Sequence, residues 1–150
     1  MRISSLLIRK AKAEDLKRVY DIERLSFKSP YPLGVLHTYL GLKNSKFLVA
    51  EIDSEIVGYI IGVLRRRIIG HIISVAVHPT FRRRGIATKL VEEVERLLKL
   101  SGAIVFRLEV RVSNEPARIM YEKLGYKIAY RKTCYYPDGE DAYVMFKVVR

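Results

Sequence analysis

The chain has 150 residues, 49% of them hydrophobic, with 28 Lys and Arg against 16 Asp and Glu, a formal net charge of +12. No apolar stretch approaches the roughly 20 residues of a membrane span, and the start, Met1-Arg2-Ile3-Ser4-Ser5, lacks the apolar segment of a secretory leader. The single Cys134 cannot form an internal disulfide, and three His with one Cys at unrelated spacings give no metal site, so one domain over residues 1–150 in a reducing cytoplasm is expected.

Leu6 to Arg9 reads as a first strand. Glu14 to Phe27 carries Leu16, Val19, Tyr20, Ile22 and Leu25 at helical spacing. Ser29-Pro30-Tyr31-Pro32 breaks that helix, because a residue before Pro is pushed out of the helical region. A second helix covers about Leu33 to Leu42. Phe47–Ile52 and Glu55–Ile61 read as strands joined by a tight Asp53-Ser54 turn, and Ile69 to Val77 as the next strand after an Arg65-Arg66-Arg67 turn taken as solvated. A central amphipathic helix runs from about Arg84 to Leu100, stopped by Ser101-Gly102. Ile104 to Val110 is a strand that is expected to run parallel to the one before the central helix, and Pro116 to Leu124 is a short helix with Pro at its start. Strands over about Tyr126–Tyr135, with Cys134 an inert strand residue, and Ala142–Val148 close the chain around Pro137-Asp138-Gly139.

One run gathers the positive charge where chemistry could use it: Val75-Ala76-Val77-His78-Pro79-Thr80-Phe81-Arg82-Arg83-Arg84-Gly85-Ile86-Ala87-Thr88-Lys89-Leu90. Backbone N–H groups at a helix start lack an intrahelical partner, and the helix dipole makes that end partly positive. Arg82, Arg83 and Arg84 beside it build a seat for a pyrophosphate, and Gly85 lets a phosphate approach without a Cβ in the way. Taken alone, an ordinary strand–turn–helix with a solvated basic turn explains the run equally well. A second block, Leu108 to Tyr126, adds a strand, Asn114, a helix carrying Tyr121, and Gly125-Tyr126. Together, Arg82-x-x-Gly85-x-Ala87 and this block resemble the R/Q-x-x-G-x-G/A signature and the second half of the GNAT superfamily of acetyl-coenzyme A-dependent N-acetyltransferases.

The resemblance covers essentially the whole chain. It implies an α/β (α+β) fold: a mixed central sheet of about seven strands, helices on both faces, and two splayed central parallel strands with the pantetheine arm in the gap. Backbone groups of Val75, Ala76 and Val77 would hold the pantetheine and polarise the thioester carbonyl, while Arg82, Arg83, Arg84, Gly85, Ile86, Ala87 and Thr88 cradle the pyrophosphate. Asn114 matches an Asn that touches the pantetheine arm; capping the helix at Glu115-Pro116 is an equal and compatible role. Tyr121 sits where the family contacts the cofactor and protonates the departing thiolate, although a Tyr on this helix could also pack. A free thiol near about 8.5 and a phenol near about 10 are close enough for useful transfer.

The reaction needs an amine without its proton. Glu109, on a strand expected to be central, is a candidate base, directly or through water, because buried charge is costly unless paired or used. An ion pair with Arg107 or Arg111 is the plain alternative, though no partner for Glu109 or His71 is obvious in the sequence. His71 is the second candidate base. Gly70-His71-Ile72-Ile73-Ser74-Val75 resembles Gly-His-x-x-Ser-x-Ala-Val of the amino-terminal acetyltransferase branch, which carries a functional His there.

Leu-Glu-Val-Arg-x-Ser-Asn and the run Tyr135 to Tyr143 also resemble the protein N-α-acetyltransferases, both the ribosomal-protein alanine and the arrest-defective types. In that branch, residues matching Tyr31, Pro32, Tyr135 and Tyr136 frame the peptide. One departure stands out: the arrest-defective type often has a Glu where this chain has Ser29, which broadens the expected specificity. The resemblance thus implies acetyl transfer from acetyl-CoA, with no metal, to the α-amine of protein N-termini, with the ribosome or an auxiliary subunit as further partners. The rivals are a lysine or small-amine acetyltransferase on the same fold and a nucleic-acid-binding module using the +12 charge. The second leaves Glu109, Asn114 and Tyr121 without a role and shows no RNA-binding signature, so nucleic acid is not expected as substrate. The absence of Gln, the two Asn and 29% charged residues point to a hot environment.

Overall fold

The structure, a computed structural model, describes residues 5–149; the leader question falls mainly on residues 1–4 and lies outside them. In chain order the elements are β1 (Leu6–Lys10), α1 (Leu16–Ser26), α2 (Leu33–Gly41), β2 (Ser45–Ile52), β3 (Glu55–Arg65), β4 (Ile69–Val77), α3 (Ile86–Leu100), β5 (Val105–Arg111), α4 (Glu115–Lys123), β6 (Lys127–Lys132) and β7 (Ala142–Val148). All seven strands form one sheet in the order β1-β2-β3-β4-β5-β7-β6. Each neighbouring pair is antiparallel except β4 and β5, which are parallel and joined through α3. That is the mixed, helix-covered sheet the family resemblance implies. No described helix is long and apolar enough to cross a membrane.

β3 shows why the sheet is covered on both faces. Its residues from Ile56 to Val63 are buried without alternation, the pattern of a strand with helices above and below. On one face α3 lays down Ile86, Leu90, Val91, Val94 and Leu98 against Ile60, Ile72, Phe106 and Leu108. On the other, Leu16, Val19 and Ile22 of α1 and Leu36 of α2 pack on Phe47, Tyr59 and Ile61. Gly62 lets α3 approach: a Cβ there would stand 2.9 Å from Val94. This cover carries β3 to Arg65, past the expected end at Ile61.

The Asp53-Ser54 turn is as tight as predicted, with positive φ (51° and 69°) at both residues, as a two-residue hairpin turn of this hand requires. The last hairpin differs from expectation. β6 stops at Lys132 rather than Tyr135 because the chain turns at Cys134, whose φ is 50°. Asp141 holds that turn, accepting from the Cys134 amide (2.9 Å) and from Arg131 Nε (2.7 Å). Cys134 is therefore an exposed turn residue, not a strand residue, and Tyr135 and Tyr136 stand in a loop free of ladder pairing.

Candidate active site

β4 and β5 are paired only at Ile69–Val105, Gly70–Phe106 and His71–Arg107; beyond that the strands diverge. The gap between them opens a cleft lined by Val75 and Ser74 of β4, Leu108, Glu109 and Arg111 of β5, Asn114 at the N-cap of α4, and Ala117 and Tyr121 along that helix. Glu23, Phe27, Ser29, Tyr31 and Tyr136 line its other end. The alternation of β5 sorts these side chains: Phe106, Leu108 and Val110 are buried in the core under α3, so Arg107, Glu109 and Arg111 share the opposite face.

A second hollow begins where the first ends along the chain, formed by Val77, Arg82, Arg83, Gly85, Ile86, Ala87, Thr88 and Met120. Gly85 caps α3 with φ 77°, a left-handed backbone, and a Cβ on it would meet nothing within 4 Å. Open space thus faces the first turn of the helix, whose N–H groups and dipole suit a phosphate. Arg82 is tied in place, its Nε donating to the Val77 carbonyl (2.9 Å) and Nη2 to Ser26 Oγ (3.0 Å). Arg84 lines neither hollow; its guanidinium lies over the Phe81 ring, 5.3 Å from the centroid. Ala76 is buried in the core, so its side chain faces away from the cleft lining.

Glu109 and His71 are not without partners. His71 Nε2 lies 2.7 Å from Glu109 Oε1, and Arg107 Nε donates to Glu109 Oε2 at 2.7 Å. Arg65 Nε donates to His71 Nδ1 at 2.9 Å. An Arg can only donate, so Nδ1 is the acceptor and the proton sits on Nε2, pointing at the carboxylate. Arg65 is therefore a working part of this chain of hydrogen bonds, while Arg66 and Arg67 remain in the exposed turn. Burial alone would push the Glu109 carboxyl up; hydrogen bonds from His71 and Arg107, with the Arg107 charge, outweigh it and hold it below the usual range. The carboxylate is ionised, with acceptor capacity left on both oxygens. The ion pair with Arg107 and a place in the cleft both hold.

Tyr121 is buried (7% exposed) and lines the cleft, edge-on to Tyr126 at 5.9 Å. Tyr126 is fixed by a 2.6 Å hydrogen bond to Glu95, which also accepts from Lys147 Nζ at 3.0 Å. Burial pushes the Tyr121 phenol well above its ordinary value, which keeps its proton on and makes it a weaker acid than a free phenol. Asn114 caps α4, accepting from the Ala117 amide at 3.3 Å, and also borders the cleft, so both expected roles are open to it.

At the far end, Arg111 organises the loop that carries the two tyrosines. Its Nη1 donates to Asp138 (2.9 Å) and Glu140 (2.8 Å), and its guanidinium stacks 4.1 Å from the Tyr136 centroid. Its Nη2 reaches Ser29 Oγ at 3.4 Å, linking this loop to the one between α1 and α2. Hydrogen bonds from Ser113 and Arg111 pull Glu140 down to about 2. Tyr136 and Tyr31 line the cleft; Tyr135 stands edge-on to Tyr136 at 4.9 Å, and Pro32 starts α2 just outside. Sequence reasoning offered Arg111 only as a partner for Glu109 and missed its bonds to Asp138 and Glu140; it also missed Glu23, Tyr59 and Ser74 as a buried hydrogen-bonded group on the cleft wall. Glu23 lies seven residues after Leu16 and four after Val19, on the apolar stripe of α1; a carboxylate there was the available signal.

A model of the acetyltransferase (GNAT) family matches residues 16–126. An uncharacterized N-acetyltransferase of Methanocaldococcus jannaschii is 41% identical over 143 residues, 95% of this chain and 91% of that protein. An N-alpha-acetyltransferase of Sulfurisphaera tokodaii is 38% identical, covering 92% of this chain and 90% of its own length. Among solved structures, Ard1 from Thermoplasma volcanium superposes with a TM-score of 0.91 at 28% identity, over 97% of this chain and 99% of that one. With a parallel strand pair splayed around one cleft, an open helix start at α3 and relatives of this extent, the chain belongs to the acetyltransferase (GNAT) family and is an acyltransferase resembling the protein N-α-acetyltransferases.

Proposed function

We propose that the protein transfers the acetyl group of acetyl-CoA to the α-amino group of protein N-termini by direct attack in a ternary complex. The observation that carries this is a pair of hollows lined by near neighbours in sequence, Val75 and Tyr121 in one, Val77 and Met120 in the other: a helix N-terminus with Arg82, Arg83 and Gly85 to Thr88 in the second, and an ionised Glu109 with the Tyr31 and Tyr136 rings in the first. Acetyl-CoA supplies the activated acyl group and a sulfur leaving group. The first turn of α3 and Arg83 would seat its pyrophosphate, and Val75, Asn114 and Tyr121 would border its arm. Glu109 draws the proton from the incoming ammonium through a water, oriented by the Nε2–H of His71 and by Arg107. The Tyr121 hydroxyl, which borders the cleft, returns a proton to the departing sulfur even though burial makes it a weaker acid than a free phenol.

An α-ammonium needs only this modest base. Its pKa is about 8 against about 10.4 for Lys, so neutralising it near pH 7 costs about 3 kcal/mol less. The test is acetylation of short peptides, with the modified position mapped by mass. Peptides with a free α-amine should be labelled, and the same peptides blocked at the N-terminus with an internal Lys should react far more slowly. Equal labelling of Lys would move the enzyme to the lysine-acetylating rival.

A further inference from the structure

Glu23 is 2% exposed and carries a carboxylate into the junction of three elements. Its Oε1 accepts from the Tyr59 hydroxyl of β3 in a very short contact and from Ser74 Oγ of β4 at 3.1 Å. Its Oε2 accepts from the Tyr31 amide, in the loop between α1 and α2, at 2.9 Å. Among the described residues no cation pairs with it. A carboxylate so placed is expensive, and an apolar side chain would fill the same space at lower cost.

The loop explains what the carboxylate gains. Pro30 and Pro32 have no N–H, so in the Pro-Tyr-Pro run the Tyr31 amide is the sole backbone donor, and it is spent on Glu23. A second side-chain hydrogen bond to this loop is the 3.4 Å contact of Arg111 with Ser29. Tyr31, Ser29, Ser74 and Glu23 all line the cleft that holds Glu109. We infer that Glu23 is a positioning residue: braced by Tyr59 and Ser74, it holds the Tyr31 backbone so that the loop is already shaped for the incoming peptide. This rests on the reading of the cleft as a peptide-acetylating site. Burial, the larger influence, drives the Glu23 carboxyl up against its three hydrogen bonds.

An untethered loop would be in the binding shape for only part of the time, and apparent peptide affinity falls by that fraction. Glu23→Ala should therefore raise the peptide KM about tenfold while the KM for acetyl-CoA stays within about twofold. Glu23→Gln should restore the peptide KM to within about threefold of wild type, because its Oε1 can accept from Tyr31 while its amide N–H groups donate to Tyr59 and Ser74. Amide hydrogen exchange, which needs no turnover, should show the Tyr31 N–H exchanging faster in Glu23→Ala with β3 amides unchanged. If Glu23→Ala does not fold, Glu23→Asp takes its place with the same expected split. A Glu23→Gln as impaired as Glu23→Ala would make Glu23 a proton carrier and overturn the inference. So would a Tyr31 amide equally protected in all variants. A wild type that acetylates no peptide overturns the functional reading instead, and the exchange measurement still decides this one.

Discussion

The two ends of the cleft are built by different means. The proposed cofactor end at α3 draws on near neighbours in sequence, Val77, Arg82, Arg83 and Gly85 to Thr88, and would work largely through backbone N–H groups and a left-handed Gly85. The opposite end is made of side chains from β3, β4, β5, α1 and two loops, joined by Arg65–His71–Glu109–Arg107 and by Arg111 with Asp138 and Glu140. A backbone seat tolerates changes of side chain but not of local shape or sign of charge. A side-chain network is cooperative, and removal of one member leaves others buried and unpaired.

The largest effect is therefore expected from a single change in the backbone seat. Acetyl-CoA at a hundredfold excess over Kd should stabilise the wild type by about 2.7 kcal/mol, a rise in Tm of about 5–10 °C for a chain of this size. Gly85→Glu, which strains the αL cap and puts a carboxylate in the open space, should abolish that rise and lower activity by more than about 100-fold. Arg84→Ala should keep most of the rise, because that guanidinium is committed to the Phe81 ring. Thermal shifts with and without acetyl-CoA decide both, and an unchanged wild-type Tm would remove the seat from the mechanism.

Within the network, Glu109→Gln and His71→Ala should each lower kcat by roughly 10–100-fold, and the double variant by far less than the product, since the two act as one hydrogen-bonded unit. Higher pH should partly restore both, because more amine is then neutral. Tyr121→Phe should lower kcat by about tenfold with the acetyl-CoA shift intact and no recovery at high pH, the missing proton being the one the sulfur needs. Rates from about pH 6 to 9.5 on the four variants separate these cases. Full activity of Glu109→Gln across that range would reduce Glu109 to an ion-pair partner of Arg107.

The same division decides what could be read from the sequence. The element order, the hairpin at Asp53-Ser54 and the glycine turn into α3 at Gly85 were legible because periodicity and turn chemistry are local. Tyr31, Tyr121 and Glu109, which the structure brings to one cleft, were singled out because they fall inside contiguous motifs. Glu23 with Ser74 and Tyr59 was not, since the three lie 15 to 51 positions apart and meet only when α1 packs on the sheet. The partners of His71 were missed for the same reason: Arg65 was assigned to a solvated turn, and strand pairing, not sequence spacing, returns it to His71. The early end of β6 was missed because an Asp141 side chain, nine residues after Lys132, sets the Cys134 turn.

The smallest effect compares two glutamates on one cleft. Glu109 is held below the ordinary carboxylate value, so the stability it contributes is present above the unfolded pKa of about 4.3 and is lost as pH falls through its lower folded value. Glu23 is raised, so its contribution is complete below about 4.3 and is lost as pH rises through its folded value. Replacing each by Gln removes one titration and should give opposite pH dependences of Tm. At neutral pH Glu109→Gln should melt lower than wild type and Glu23→Gln higher, each by roughly 2–4 °C if the change is about 1 kcal/mol. Both differences should shrink as the pH is brought below about 4, where the wild-type side chain at position 23 is protonated and the one at 109 is approaching it. Calorimetric melting at several pH values between about 3 and 8 measures the pair together. Differences of the same sign at neutral pH would show that the two carboxylates share one environment, and the contrast between the two sides of the cleft would be lost.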